Sequence, residues 1–410
     1  LMQPPVKGFT TIGLDPGFRT GCKLAVVDPT GRVLDTAVIY PTHSDAQVEK
    51  SKKILSSMIK KYGVRAIAIG NGTASRETEK FTAEVLAALD GNTKYMIVNE
   101  AGASVYSASK LAAAEMPDLD LTLRSAVSIA RRLQDPLAEL VKIDPQSIGV
   151  GQYQHDMPQK QLSAALDGVV EDCVNAVGAD LNTASPSLLA HIAGINKKVS
   201  ENIVVYREQN GAFTSRSELK KVDKLGPKAF EQCAGFLRVP ESENPLDNTG
   251  VHPESYKAAL KLLSICGYTL DDVKAGNLAL LPEKVKEKGA DNIAEELGIG
   301  TPTLNDIVKE LTKPGRDPRD ELPPPILRTD VMDIKDLKEG MEMKGTVRNV
   351  IDFGAFVDIG VHQDGLVHIS QISNRRIKHP SDVLSVGDIV TVKILSVDEK
   401  KGRISLTMKL

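Results

Sequence analysis

Between Leu181 and Val239, two glycines run straight into lysines: Gly194 leads to Lys197 and Lys198, and Gly226, preceded by Lys224, leads to Lys228. The chemistry this spacing offers is phosphate binding. A glycine turn feeding a helix start leaves backbone N–H groups unpaired at the positive end of a helix dipole, where they hold phosphate oxygens without reading bases. The lysines supply charge. From Lys197 to Arg238 there are nine basic residues and five acidic ones, about +4, while the whole chain carries −3. The plainer reading of the same residues is a helical spacer with solvated lysines.

The elements that must position these turns are legible in their caps. Ser185 before Pro186 is an N-cap with proline at the first helical position, and Ser215 with Glu218 three residues on has capping-box spacing. Asn210-Gly211 closes a helix carrying Val199, Ile203 and Tyr206. The stretch resembles the tandem helix-hairpin-helix module of DNA repair and competence proteins, whose hairpins read apolar-Gly-apolar-Gly. Each hairpin here keeps one glycine, with Asn196 in the second place of the first and Lys224 in the first place of the second. Asparagine tolerates the left-handed region better than lysine does. A third, complete turn, Leu297-Gly298-Ile299-Gly300, has Glu295, Glu296, Asp306 and Glu310 around it. Those carboxylates repel phosphate, so this hairpin is expected to be structural.

Composition bounds the rest. At 410 residues, 41% hydrophobic and 26% charged, the chain reads as a soluble, cytoplasmic protein of about three domains. No apolar run approaches the roughly 20 residues of a membrane helix, and no signal peptide opens it. Cys22, Cys173, Cys233 and Cys266 form no CxxC pair, so neither metal nor disulfide framework is expected. The opening Leu-Met-Gln-Pro-Pro suggests the C-terminal part of a longer protein.

Residues 1–145 read as α/β. Strands are expected at Phe9 to Leu14, Lys23 to Asp28 and Arg32 to Tyr40, followed by helix Gln47 to Tyr62, strand Val64 to Ile69, helix Arg76 to Leu89 and strand Tyr95 to Val98. Two helices, Val105 to Met116 and Leu123 to Val141, complete a ribonuclease H-like order. The run GLDPGFRTGCKLAVVD, Gly13 to Asp28, resembles the YqgF family of resolvase-like domains. In active members of that fold, carboxylates converge on divalent metal for phosphodiester hydrolysis. The resemblance makes Asp15 the first carboxylate and Glu100 the second, and it puts Ser125, beside Arg124, where the third should stand. A serine cannot replace a charged ligand, and an adjacent arginine would compete with the cation. The site is therefore expected to be a degenerate remnant without metal; the alternative is a metal-dependent nuclease of the resolvase type using Asp15 and Glu100. Gly70-Asn71-Gly72-Thr73 lacks Walker spacing and reads as a strand-to-helix turn.

A connecting loop and helix occupy 146–180. In the loop, Tyr153, His155 and Asp156 could be imagined as a site, but a His beside an Asp is more often a cap. The tandem hairpins then span 181–240, a second helical hairpin domain 245–313, and a stiff Pro-rich linker 314–336. Short alternating strands from 337 to 410 suggest a small closed barrel. In GTVRNVIDFGAFVDI and GLVHIS this region resembles the S1-motif RNA-binding domain, an OB-fold barrel. The resemblance implies a stacking face of Phe353, Phe356 and His368, with Arg348, Arg375, Arg376 and Lys378 as phosphate contacts. Alternation leaves open that one phenylalanine is core, and the glycines around Phe353 make it the candidate.

The fold expected is thus multidomain: an α/β ribonuclease H-like domain, all-α helix-hairpin-helix modules and a C-terminal all-β OB-fold barrel. In that order, the modules resemble a family of bacterial transcription accessory proteins. The resemblance implies a non-enzymatic, largely sequence-independent binder of single-stranded RNA and DNA. Its implied partner is RNA polymerase or the transcription complex; a monomer is expected, with no cofactor and no membrane contact.

Overall fold

The computed structural model describes residues 1–410 apart from 90, 314, 316, 330–334, 336, 362, 376, 399, 400 and 410. The chain forms two compact units, one of Leu1–Met2 and Leu140–Glu321, the other of Gln3–Glu139 and Leu322–Leu410. Among the described residues no helix is long and apolar enough to cross a membrane.

In the second of these units, β1 (Thr11–Asp15), β2 (Cys22–Val27) and β3 (Val33–Ile39) form an antiparallel meander. After α1 (Asp45–Tyr62), strands β4 (Ala66–Gly70) and β5 (Lys94–Val98), joined by α2 (Ser75–Ala87), add in parallel to give the order β3-β2-β1-β4-β5. Period-two alternation sorts residue size across this sheet. Ile67 and Ile69 of β4 join the large residues of α1 and α2, while Ala66 and Ala68 join Ile129 and Leu133 of the last helix. That helix approaches closely because Gly13 has no side chain: a Cβ there would fall on the Ala126 carbonyl and Ala130.

The helices after β5 are shorter than their periodicity suggests. The first is broken into α3 (Ala103–Ser107) and α4 (Lys110–Glu115), because Ser109 accepts from the Ala112 N–H and starts a new helix. The second is α5 (Leu121–Gln134), begun by Asp120 accepting from the N–H groups of Thr122 and Leu123. Pro136 cannot continue it and instead opens α6 (Pro136–Leu140).

The other unit is helical. It runs through α7 (Pro145–Ile148), α8 (Gln159–Val177), a two-residue β6 (Ala179–Asp180), α9 (Pro186–Leu189), α10 (Lys197–Asn210) and α11 (Pro227–Cys233). A two-residue β7 (Leu237–Arg238) pairs with β6. Helices α12 (Tyr256–Ile265), α13 (Leu270–Ala275), α14 (Leu281–Lys288), α15 (Ala290–Leu297) and α16 (Thr301–Thr312) then close a core around Leu262, Leu281, Leu304 and Leu311. Ser185 caps α9 as its sequence predicts, accepting from Leu188 N–H at 3.2 Å. The capping box at Ser215 does not form. Glu218 accepts instead from the N–H and hydroxyl of Thr214, and Arg216–Lys221 is a 3-10 turn.

Next to Ser215 stands Arg216, which is 1% exposed. Its guanidinium donates to the carbonyls of Leu237 (2.7 Å), Val251 (2.8 Å) and Thr249 and to the Tyr256 hydroxyl (3.0 Å). Asp247 accepts from the Arg216 N–H at 3.1 Å and from Tyr256 at 2.7 Å. One buried cation thus ties the hairpin segment to the helices that follow.

The remaining strands, β8 (Glu342–Ile351), β9 (Gly354–Asp358), β10 (Gly365–His368), β11 (Ile389–Asp398) and β12 (Arg403–Thr407), close a barrel in the order β10-β12-β11-β8-β9. A short α17 (Ile369–Ile372) follows β10. The Pro-rich stretch before the barrel differs from the free, stiff spacer read in the sequence. Arg328 exchanges both backbone hydrogen bonds with Tyr95 of edge strand β5 (2.7 and 2.8 Å), and Leu327 packs on the Ala66–Leu133 cluster. The Arg328 guanidinium meets Asp358 of the barrel at 3.4 Å and lies over Gly360, where a Cβ would strike it. An edge strand covered in this way is shielded from stray pairing, and a cut near Pro324 would break contacts rather than slack chain.

Replacing Arg216 by Ala leaves three carbonyls without their donor and Asp247 without the nearby positive charge, while the backbone N–H and the Tyr256 hydroxyl still reach that carboxylate. Urea unfolding followed by helical signal should show a loss of roughly 3 to 5 kcal/mol in the helical unit. A loss below about 1 kcal/mol would mean that the cage carries no net stability.

Candidate nucleic-acid interface

The three hairpin turns share one backbone. A left-handed residue is followed by an apolar one, buried in the first two turns and half-buried in the third, and then by an extended N-cap. In the first, Gly194 (φ +79°) precedes Ile195 and Asn196 (φ −91°). In the second, Lys224 (φ +63°) precedes Leu225 and Gly226 (φ −76°), and in the third, Gly298 (φ +69°) precedes Ile299 and Gly300 (φ −75°). Asn196 therefore does not visit the left-handed region. Its extended backbone lets the side chain accept from Val199 N–H at 3.0 Å, leaving the Lys197 and Lys198 N–H groups at the helix start. Lys224, in contrast, does adopt the left-handed form in the slot that the other hairpins give to glycine.

Gly194, Lys197, Lys198, Lys224, Gly226 and Lys228 are all exposed. Lys198 meets Glu201 at 3.3 Å, a solvated pair of small strength. The positive charge of the stretch is nonetheless smaller at the surface than the sequence count. Arg216 is caged, Arg207 donates to the Leu181 carbonyl, and Arg238 donates to that of Gly235, with burial and the Arg216 charge pushing Arg238 down to about 10. Glu310 also departs from its expected place beside the third turn. Near the far end of α16, it accepts from Gly250 N–H at 2.9 Å, on a glycine whose Cβ would fall on its carboxylate, and its charge faces Arg216 and Arg238.

In the barrel, Val347, Ala355, Val357, Val367 and Leu406 point inward. Alternation therefore turns Phe356 outward, half-buried, in register with Leu366 on β10 and Asn349 on β8. Phe353, in the β8–β9 turn, is 52% exposed, so the core alternative that alternation leaves open does not apply to it. Its carbonyl accepts from Ile369 N–H at 2.9 Å, and His368 pairs across from Gly354, which brings Phe353 and His368 to one rim. His368 Nδ1 lies 2.9 Å from the Ser370 hydroxyl. A β-bulge between Val347 and Asn349 turns Arg348 outward as well.

Arg348 is not idle there. It donates to Asp358 at 2.6 Å; burial alone would raise that carboxyl, but Arg348, Arg328 and the Gly360 N–H hold it below the usual range. Arg375 and Lys378 are exposed on the loop after α17, which His379 ties to Asp352, next to Phe353, at 2.9 Å. Arg376 lies outside the described residues.

The structure brings Asp15, Ser125 and Glu100 to one end of the sheet. Burial raises the Asp15 carboxyl against two opposing pulls, a hydrogen bond from Ser125 and the charge of Lys23, which pairs with Asp15 across β1 and β2. Glu100 is raised by burial and by Asp15, and lowered by the Gly72 N–H and Arg132. Gly70 and Gly72 make room for it, since a Cβ at either would fall on its carboxylate. Arg124 does not reach this site. It donates to the Met116 carbonyl at 3.2 Å, so the competing cations are Lys23 and Arg132, neither singled out by the sequence. Arg132 is 4% exposed and donates to the carbonyls of Asn99 and Ala101 on either side of Glu100. Its position one helical repeat past Ser125 on α5 was the available signal. Among the described residues no group of three or more His, Cys, Asp or Glu is placed to hold a metal. At this end of the sheet two carboxylates, Asp15 and Glu100, therefore stand under the charges of Lys23 and Arg132.

A ribonuclease H-like sheet, helical hairpins and a closed five-stranded barrel define a protein built of nucleic-acid-binding modules. Family models agree: the Tex protein YqgF-like domain matches residues 9–134, a helix-hairpin-helix motif 174–238, an HHH domain 244–319 and the S1 RNA binding domain 336–409. The whole chain is 57% identical to YdcI of Bacillus subtilis, 54% to the transcriptional accessory protein Tex of Neisseria gonorrhoeae and 40% to human S1 RNA-binding domain-containing protein 1. It covers 56%, 53% and 46% of their lengths, so it spans about half of the curated relatives it matches. Over its whole length the chain is thus similar to proteins of the Tex family.

Because the Asp15 carboxyl is raised in the folded state, its ionisation opposes folding. That cost is fully present above the raised value and absent below the ordinary one near 4. Asp15→Asn should therefore raise the melting temperature at neutral pH, and the gain should vanish on acidification to about pH 3. A gain that persists at low pH would place its origin elsewhere.

Proposed function

We propose that this chain binds nucleic acid in support of transcription, largely without sequence preference and without cutting it. The observation that carries the reading is the outward aromatic face of the barrel, Phe356 with Phe353 and His368 at its rim, beside the cations Arg375 and Lys378. Every base has a π-face, so such a surface holds successive unpaired bases by stacking, each worth roughly 1 to 3 kcal/mol. Single-stranded RNA is its ligand, and single-stranded DNA binds by the same stacking. The tie to Asp358 directs Arg348 across to β9, and a phosphate reaching it must share that guanidinium.

The hairpins hold duplex phosphates at Gly194, Lys197, Lys198, Gly226 and Lys228 by charge and open N–H groups, which carry no base information. The third hairpin, with acidic neighbours, serves structure. The name transcriptional accessory protein, borne by a relative 54% identical, supports a role beside RNA polymerase or the transcription complex. The protein acts in the cytoplasm as a monomer.

The Asp15 and Glu100 pair is a remnant. A two-metal hydrolase needs carboxylates to hold its ions. Here serine stands beside Asp15, and Lys23 and Arg132 supply the positive charge that metal would bring.

Phe356→Ala and His368→Ala should each weaken single-stranded RNA binding by about tenfold, read by filter binding, with the melting temperature unchanged. Unaltered affinity in both would remove the barrel from the RNA site.

Labelled four-way junction, duplex and single strand incubated with magnesium or manganese should remain intact. Cleavage that Asp15→Asn abolishes would establish the nuclease reading instead.

A further inference from the structure

The loop 149–157 is pinned by glutamines: Gln154 accepts from the Val150 N–H at 2.9 Å and donates to the Gln146 carbonyl at 3.0 Å. Gln159 donates to the carbonyls of Gln154 and Met157 at 3.0 and 2.8 Å. The apolar groups turn to solvent, with Val150 45%, Tyr153 68% and Met157 52% exposed. A loop wired in this way loses little entropy on binding, and rigid aromatic and methionine side chains are the residues that dominate protein interfaces.

Beside it lies a cavity of about 300 Å³ with Ile143, Pro145, Leu166 and Val170 in its wall. Ser163 lines the cavity and accepts from Gln146 at 2.8 Å, and Gln146 in turn holds Gln154, so loop and cavity are neighbours. Asp144 and Asp167, both exposed, line the cavity together with the half-buried Lys142; Glu171 is exposed one turn past Asp167 on α8, Asp156 is exposed in the loop, and Lys160 is exposed at the start of α8. This surface is acidic where the hairpins are basic, and it repels a phosphate backbone.

We propose that the loop and cavity form a docking site for a polypeptide that inserts an aromatic or aliphatic side chain into the cavity and flanks it with lysine or arginine. The site acts independently of the nucleic-acid surfaces. Tyr153 and Met157 cover the inserted side chain, and the carboxylates select the basic flanks and reject nucleic acid.

The test is selection of a random displayed peptide library on the full chain, with anisotropy of the selected peptides. The enriched sequences should carry an apolar residue between basic ones. Tyr153→Ser with Met157→Ser should weaken them by about tenfold or more, as should Asp167→Lys with Glu171→Lys, and both variants should bind single-stranded RNA and duplex as before. Enrichment that both variants retain, selection of acidic peptides, or no enrichment at all would overturn the proposal. So would a loss of RNA or duplex affinity in Tyr153→Ser with Met157→Ser, which would assign the loop to nucleic acid.

Discussion

The helical unit depends on where Arg216 puts its five donors. A guanidinium stripped of water must satisfy them or lose several kcal/mol, and here the carbonyls of Leu237 in β7 and of two loop residues, with a tyrosine hydroxyl, take four of them while Asp247 balances the charge. The carbonyls belong to Leu237, Thr249 and Val251, so the cage can close only if the end of the second hairpin and the entry to α12 arrive together. Glu310, reaching Gly250 from α16, extends the same network to the third hairpin's helix. Hairpins that would be marginal as separate helix pairs are thereby made parts of one body.

A fixed body matters for the binding chemistry assigned to the turns. Phosphate contacts through N–H groups need helix starts held at set positions, and each turn secures its helix start with a left-handed residue and an extended cap. Lysine at 224 meets that requirement at a steric cost glycine would avoid. The barrel solves a different problem. Its interior is filled by small branched residues and an alanine, so the larger aromatics are left outside where bases can reach them.

Much of this was legible. The sheet order, the hairpin turns and the barrel followed from alternation, caps and glycine spacing, because those are local rules. What was not legible depends on partners distant in sequence. Arg216 and Glu310 look like surface charges until residues about 30 to 60 positions away surround them. Alternation alone leaves open which of Phe353 and Phe356 is core; the turn leaves Phe353 exposed. The carboxylate site shows the same limit. Ser125 at the third position could be read from alignment of the last helix, but the approach of Lys23 across β1 and of Arg132 one repeat along α5 needed the sheet in three dimensions. The proline stretch misled because composition reports stiffness and says nothing of an edge strand waiting to be covered.

On the proposed function, unpaired RNA lies on the outer face of the barrel. Ultraviolet cross-linking of single-stranded RNA to the full chain, with the attached peptides located by mass spectrometry, tests this without altering a residue. Adducts are expected on peptides containing Phe353, Phe356 and His368. Adducts confined to the hairpins or to the sheet, with none on the barrel, would take RNA off that face.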